Sequence, residues 1–372
     1  MKKYEHLMRI PVKLTILSPL HIGSGEKIGQ KEFILDAQNE CVMIPDVPTM
    51  IDFFMRNCRK NTLEMYERFV LGGRGDLSQF FYDQQLRAEP DSPFIRRTDS
   101  LEPGIGTINT LGLFHCNAEG DAYIPGSSIK GALRTAFIAG KNEEEKARHR
   151  AGFKTELETN SRRNSCVEDA LRVLRANDKK RQDAVNDLFR GVHISDCAPF
   201  ESEDTMTVCR RHWIGEDGTQ KAGLRGSPVY QECVRPGVTT QFYLTLDGTI
   251  CDPDALLRKM TESLAAWNAL CVAGYEENFR GAGFADVETK PGYPMVLGSG
   301  TGFQRKSLVY AMFDQNEAFR LANGVLGKQF GRTYKPRADS RSAPYMMKGA
   351  YYNRALYRMG MCRVEFQRSE DV

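Results

Sequence analysis

Two runs of strict alternation constrain the fold more than any other feature of the sequence. In the first, Arg9 to Leu17, the residues Ile10, Val12, Leu14 and Ile16 share one face. In the second, Val238 to Leu246, the same holds for Thr240, Phe242, Leu244 and Leu246. A period of two marks strands buried on one side only. Shorter extended runs stand at Glu32 to Asp36, Cys41 to Ile44 and Gly191 to Asp196. Elsewhere the apolar period is helical. Pro48 to Leu71 carries Met50, Ile51, Phe53 and Phe54, then Leu63, Tyr66, Phe69 and Val70, and Gly72-Gly73-Arg74-Gly75 stops it. Asp252 and Pro253 open a helix with an N-cap and a first-turn proline. Its stripe is Leu256, Leu257, Met260, Leu264, Trp267 and Cys271, closed by Gly281-Ala282-Gly283. A short helix runs through Phe319, Ala322 and Val325. Strands and helices mix without regular alternation, so the class is α+β. Residues 88–112, rich in Pro, Gly, Asp and Ser, read as an irregular surface connection.

With 372 residues the chain has room for two domains or one with large insertions. The expected division is 1–140, a charged helical insertion over 141–190, and 191–372. The insertion holds 13 basic and 10 acidic side chains, most expected to face water, punctuated by Val167, Leu171, Leu174, Val185, Leu188 and Phe189. Ten cysteines are scattered with no C-x-x-C pair, which suits reduced thiols in cytoplasm. No apolar run approaches the ~20 residues that cross a bilayer. Cys209-Arg210-Arg211-His212 offers two metal ligands where a structural zinc needs four, so neither metal nor cofactor is expected.

The overall charge of +3 points to no partner, yet its distribution does. From Gly298 to Lys348 stand Arg305, Lys306, Arg320, Lys328, Arg332, Lys335, Arg337, Arg341 and Lys348 against Asp314, Glu317 and Asp339, a balance of 9 − 3 = +6. Tyr334 and Tyr345 are interleaved, which suits base stacking beside phosphate neutralisation. Three glycine-rich loops supply close-approaching amides: His21 with Gly23, Ser24 and Gly25; Gly126, Ser127 and Ser128; and Gly298, Gly300 and Gly302. The middle loop opens a helix with Ser127 or Ser128 as N-cap and sets Lys130 and Arg134 four residues apart, so a phosphate would find amides, hydroxyls and cations together. The alternative is a plain capped helix with solvated cations. Gly131 costs about 1 kcal/mol against Ala unless another backbone passes close. The last loop fits neither a Walker A nor a Rossmann fingerprint. No catalytic residue is expected: His21 lacks an orienting partner, His193 reads as half-buried in its strand, and Asp36 and Asp196 end strands, where aspartate caps turns.

Ser18-Pro19-Leu20-His21-Ile22-Gly23-Ser24-Gly25 is similar to the opening of RAMP-superfamily proteins of CRISPR systems. Ile124-Pro125-Gly126-Ser127-Ser128-Ile129-Lys130-Gly131-Ala132-Leu133-Arg134 resembles that superfamily's loop–helix signature, and Leu297-Gly298-Ser299-Gly300-Thr301-Gly302-Phe303 its C-terminal glycine-rich loop. With the charged insertion and Pro344-Tyr345-Met346-Met347-Lys348, the chain most resembles the fifth-subunit family of type III-A (Csm) effectors. The resemblance implies ferredoxin-like (RRM-like) modules of antiparallel sheet with helices on one face. It also implies a non-catalytic subunit that holds the 3′ part of CRISPR RNA beside target RNA, contacts the backbone and other Csm subunits, and supports 3′-end maturation by host trimming nucleases, away from any membrane. Gly126 to Lys130, with Arg134, match the loop that touches RNA or the adjacent subunit; Gly298 to Gly302 match the loop near the RNA backbone. The alternative is a metal-independent RAMP endoribonuclease that processes CRISPR RNA with His21 as general base. Asp36 is the acid nearest to the target-cleaving aspartate of backbone subunits, but it ends the apolar run Phe33-Ile34-Leu35.

Overall fold

The computed structural model describes residues 5–159, 168–177, 179–180, 183–200, 205–221, 228–336 and 338–367. In chain order the strands are β1 (Leu7–Ile16), β2 (Gly23–Gly29), β3 (Ile34–Asp36), β4 (Cys41–Pro45), β5 (Ile95–Leu101), β6 (Thr110–Phe114), β7 (Val192–Ile194), β8 (Met206–Gly215), β9 (Gln220–Lys221), β10 (Val229–Val234), β11 (Thr239–Asp247), β12 (Tyr293–Val296), β13 (Met346–Tyr352), β14 (Ala355–Arg358) and β15 (Met361–Phe366). The longer helices are α1 (Val47–Asn57), α2 (Thr62–Gly72), α3 (Leu77–Asp83), α4 (Gly126–Ala139), α5 (Glu143–Thr159), α6 (Pro253–Gly274) and α7 (Gln315–Phe330).

Both alternating runs lie in one antiparallel sheet of order β12-β15-β1-β11-β7. Ile10 lies opposite Leu244, Val12 opposite Phe242 and Leu14 opposite Thr240, so the two stripes form a single buried face. Ile129, Leu133 and Phe137 of α4 and Leu256, Met260, Leu264 and Trp267 of α6 belong to the same core. The path β1-α4-β7-β11-α6-β15 is a ferredoxin-like βαββαβ unit. Asp252 caps α6 as expected, accepting from the amides of Asp254 and Ala255.

The remaining strands are inserted into that path and form a second sheet, order β2-β6-β10-β8-β5-β4-β3, with β13 and β9 on β8 and β14 on β13. This sheet is mixed, because β6/β10 and β5/β8 pair in parallel. The expectation of antiparallel sheets therefore holds for the first sheet only. The parallel partners come from different insertions, and parallel pairing needs such long crossovers rather than hairpins. The five-stranded sheet takes β1 from one side of residues 141–190 and β7, β11 and β15 from the other. The expected halves, 1–140 and 191–372, are thus interleaved.

Several local expectations change. The helix expected over 48–71 is broken between Asn57 and Thr62, and α3 follows it; these helices enclose an aromatic core of Phe54, Tyr66, Phe69, Phe80, Phe81 and Phe94. Residues 88–112 include β5 and the start of β6 and bury Phe94, Leu101, Ile108 and Leu111. Their strand partners lie far away in sequence, so local composition hid them. Among its described residues the insertion carries α5 and three short 3₁₀ turns; Val167 lies outside them, and Leu171 and Phe189 are buried. The helix through Phe319 spans 16 residues rather than a short stretch. His193 is exposed, not half-buried, because it sits on the sheet face away from the helices. No helix among the described residues is long and apolar enough to cross a membrane.

Candidate nucleic-acid interface

Two of the three glycine-rich loops meet. After β1 the chain turns at Pro19, and the Ser299 amide donates to the His21 carbonyl at 2.7 Å. Gly298, Gly300 and Gly302 all have positive φ, at 77°, 94° and 89°. At Gly298 a side chain would also overlap the His21 carbonyl, so glycine is required there twice over. The strand-to-strand turn at Gly360 completes the lacing: its amide donates to Pro19 at 3.0 Å and its carbonyl accepts from Leu297 at 2.9 Å.

Beside this junction three cations gather. Arg211 of β8 reaches the Ser299 hydroxyl at 3.5 Å and Gln231 at 3.4 Å, and lies 4.9 Å from the centre of the Trp213 ring. Lys348 of β13 stands opposite Trp213, on the diagonal from Arg211 across the strand pair. Lys306 ends the helical turn Phe303–Lys306 that follows the glycine loop. None of the three pairs with a carboxylate among the described residues, and the Arg211 Nε is buried without a hydrogen-bond partner. Burial, then Arg211 and Lys306, lowers the Lys348 ammonium from 10.5 to about 8. Burial and Arg211 lower Lys306 as well, and burial lowers Arg211. Like charges packed together with no paired acid create a positive field that a polyanionic backbone, one phosphodiester after another, would offset. Lys306 was read from the sequence. In the sequence Lys348 counts toward the basic segment and Arg211 only toward the metal-like spacing, since β8 and β13 meet through pairing across more than a hundred residues.

The other expected residues are placed differently. The His21 side chain is buried, its Nδ1 2.6 Å from the Glu232 carbonyl and its ring edge-on to Phe114. Burial lowers its pKa although the Glu232 carbonyl opposes this, so the imidazole is neutral at pH 7. Its expected surface role is corrected: the backbone of His21 holds the glycine loop, while the ring packs inward. Gly23, Ser24 and Gly25 are exposed on β2, an edge strand.

Gly126 begins α4, but neither Ser127 nor Ser128 caps it. Asp196 does so from across the fold, its Oδ1 accepting from the Gly126 amide at 2.7 Å. A carboxylate thus occupies the position at which a phosphate was expected. Lys130 donates to the Val192 carbonyl at 2.7 Å, and Arg134 pairs with Asp187 at 2.7 Å, so both cations are engaged within the chain. Gly131 has nothing within 4 Å of where a Cβ would stand, so no backbone passes there.

Arg305 is corrected from a surface cation to a core one. It pairs with Glu276 at 2.6 Å, and Arg358 pairs with the same carboxylate. Against burial, which raises it, these two guanidinium groups hold Glu276 below the usual carboxylate range. Arg332 is exposed, and Arg337 lies outside the described residues. Lys335 and Arg341 line a pocket of about 370 Å³ together with Lys221, Glu216, Asp217 and Asp339, a charge-balanced setting. Tyr334 and Tyr345 pack on each other, ring centres 5.2 Å apart. Asp36 caps its turn, accepting from Gln38 and Asn39.

The model of the RAMP superfamily matches residues 13–284. The CRISPR system Cms protein Csm5 of Enterococcus italicus is 25% identical over 389 residues, covering 96% of this chain and 97% of the relative. Its namesake in Mycobacterium tuberculosis is 25% identical, covering 97% and 98%. That of Streptococcus thermophilus is 26% identical, covering 86% and 83%. Among solved structures, a chain of a type III-A Csm–crRNA–target RNA ternary complex shares the fold with a TM-score of 0.63 at 16% identity, covering 96% of this chain and all of that one. The crystal structure of T. onnurineus Csm5 gives a TM-score of 0.61 at 14% identity, covering 94% and 99%.

Proposed function

The chain belongs to the RAMP superfamily, and on that footing we propose that it is the guide-RNA-holding subunit at one end of a type III-A Csm effector. The observation that carries this reading is the group of Arg211, Lys306 and Lys348 beside the Gly298–Gly302 loop, three cations without a carboxylate among the described residues. Relatives aligning over nearly the whole chain bear the name Csm5, and a chain of the same fold stands in a complex with crRNA and target RNA; both support the assignment. The subunit holds the 3′ part of the guide, abuts the backbone subunit and leaves 3′ trimming to a recruited nuclease. Its own role is non-catalytic. The histidine that an endoribonuclease reading would use is buried, its Nδ1 engaged by the Glu232 backbone carbonyl.

The test is binding of single-stranded guide RNA by the full chain across a potassium chloride series. Affinity is expected to fall steeply with salt, and Lys306→Gln to lower the slope of log K against log salt by about 0.7, one phosphate contact on a single strand. Guides shortened from the 3′ end are expected to bind more weakly than guides shortened equally from the 5′ end. Salt-independent binding, or equal loss from either end, overturns the assignment.

A further inference from the structure

A pocket of about 390 Å³ opens between α4, α5 and residues 303–308, and Lys306 lies on its rim. Leu157, Phe303 and Val325 supply apolar walls, while Glu156, Glu168 and Ser307 add polar edges. The Ser307 hydroxyl is buried and has no hydrogen-bond partner. Gly131 forms part of the α4 wall, and the space where its side chain would stand is open. The volume is in the range of small-molecule sites, which combine apolar walls with a few polar groups.

We infer that this pocket is a nucleobase subsite: one base of the bound strand enters it while the adjoining phosphate lies against Lys306. The inference rests on the RNA-holding role proposed above and assigns a second contact to the same strand. Three observations select a base over other occupants. The pocket shares Lys306 with the cation group beside the glycine loop, so a strand whose phosphate is held there has a base within reach of Phe303. Its walls combine an aromatic ring with hydrogen-bonding edges, the pairing by which proteins take up unstacked bases of single-stranded RNA. A lipid tail would leave Ser307 and the carboxylate edges unmatched. Arg134, although it lines the pocket, is held by Asp187, which leaves Lys306 as the cation for the phosphate.

Gly131→Leu tests this directly. Its new side chain enters open space, and leucine favours the helix over glycine, so the fold is expected to stand. Val325→Trp fills the pocket from the opposite wall. The probes are single-stranded RNAs of guide sequence, identical except for one abasic nucleotide moved along the strand. For the wild-type chain one abasic position is expected to weaken binding about tenfold, within the range for loss of one stacked base. Both variants are expected to bind the intact RNA about tenfold more weakly than wild type and to be indifferent to that abasic position, with unfolding curves confirming that they remain folded. If every RNA in the panel binds wild type and Gly131→Leu alike, the subsite is overturned while the phosphate contacts stand. If wild type binds no RNA at all, the RNA-holding role itself fails. If RNA binding is unchanged but Gly131→Leu no longer assembles with neighbouring subunits, the pocket belongs to a protein contact and the inference is likewise overturned.

Discussion

Replacing Lys348 with methionine separates the stability of the empty fold from its hold on RNA, because the two move in opposite directions. The ammonium is lowered from 10.5 to about 8 by burial and by Arg211 and Lys306. Each pH unit of such lowering corresponds to about 1.36 kcal/mol, so the charge costs the empty protein at most ~3 kcal/mol at neutral pH. Lys348 keeps partial contact with solvent, which reduces the cost to about 2 kcal/mol. Between pH 8 and 10.5 the unfolded chain binds more protons than the folded one. Stability of the RNA-free protein therefore rises with pH through that window, and the penalty is complete below it. Methionine keeps the length and removes the charge. Urea unfolding at pH 7 is expected to show Lys348→Met more stable than wild type by about 2 kcal/mol, with the gap reduced to about a quarter of that at pH 10. Binding of guide RNA is expected to weaken about tenfold, with the salt slope smaller by about 0.7. A variant less stable than wild type at pH 7, or one whose RNA affinity and salt slope are unchanged, would refute the idea that this lysine is held in reserve for an anion.

Two further substitutions probe the scaffold behind the site. Glu276→Gln leaves Arg305 buried without its carboxylate and Arg358 without a partner, and is expected to destabilise the fold by about 3–5 kcal/mol in thermal or urea unfolding. Gly298→Ala forces a methyl against the His21 carbonyl at a φ of 77°, and is expected to cost about 1–3 kcal/mol and weaken RNA binding. A Gly298→Ala protein with wild-type stability and affinity would show that the two loops are not laced as described.

Legibility in the sequence followed the range of the interactions. β1 and β11 could be read because a half-buried strand writes its own alternation, and the α6 cap because Asp252 and Pro253 are contiguous with their helix. β5 and β13 could not, since what makes them strands is β4 and β8 alongside rather than their own pattern; Lys348 and Gly349 interrupt β13 at its centre. The cap of α4 was sought in Ser127 and Ser128, whereas the group that fills the role, Asp196, stands 70 residues on. The candidate site was partly legible. Glycines and Lys306 stood out as a local cluster, but composition counts a buried Arg305 and an accessible Lys306 alike. Only the counter-ion distinguishes them, and Glu276 lies 29 residues before Arg305.

The lacing of Pro19, Leu297 and Gly360 has a consequence for the order of events during synthesis. β1 is made well before its neighbour β15 and the turn that clasps the glycine loop, which are among the last described residues to be made. Until then β1 has an unoccupied edge, and the loop at 298–302 lacks one of its two anchors. A nascent chain therefore has the cations but not the assembled cradle. Closure of the cradle beside those cations therefore waits on the segment from Gly360 to Phe366, so the loop takes its final shape long after its own glycines have been joined.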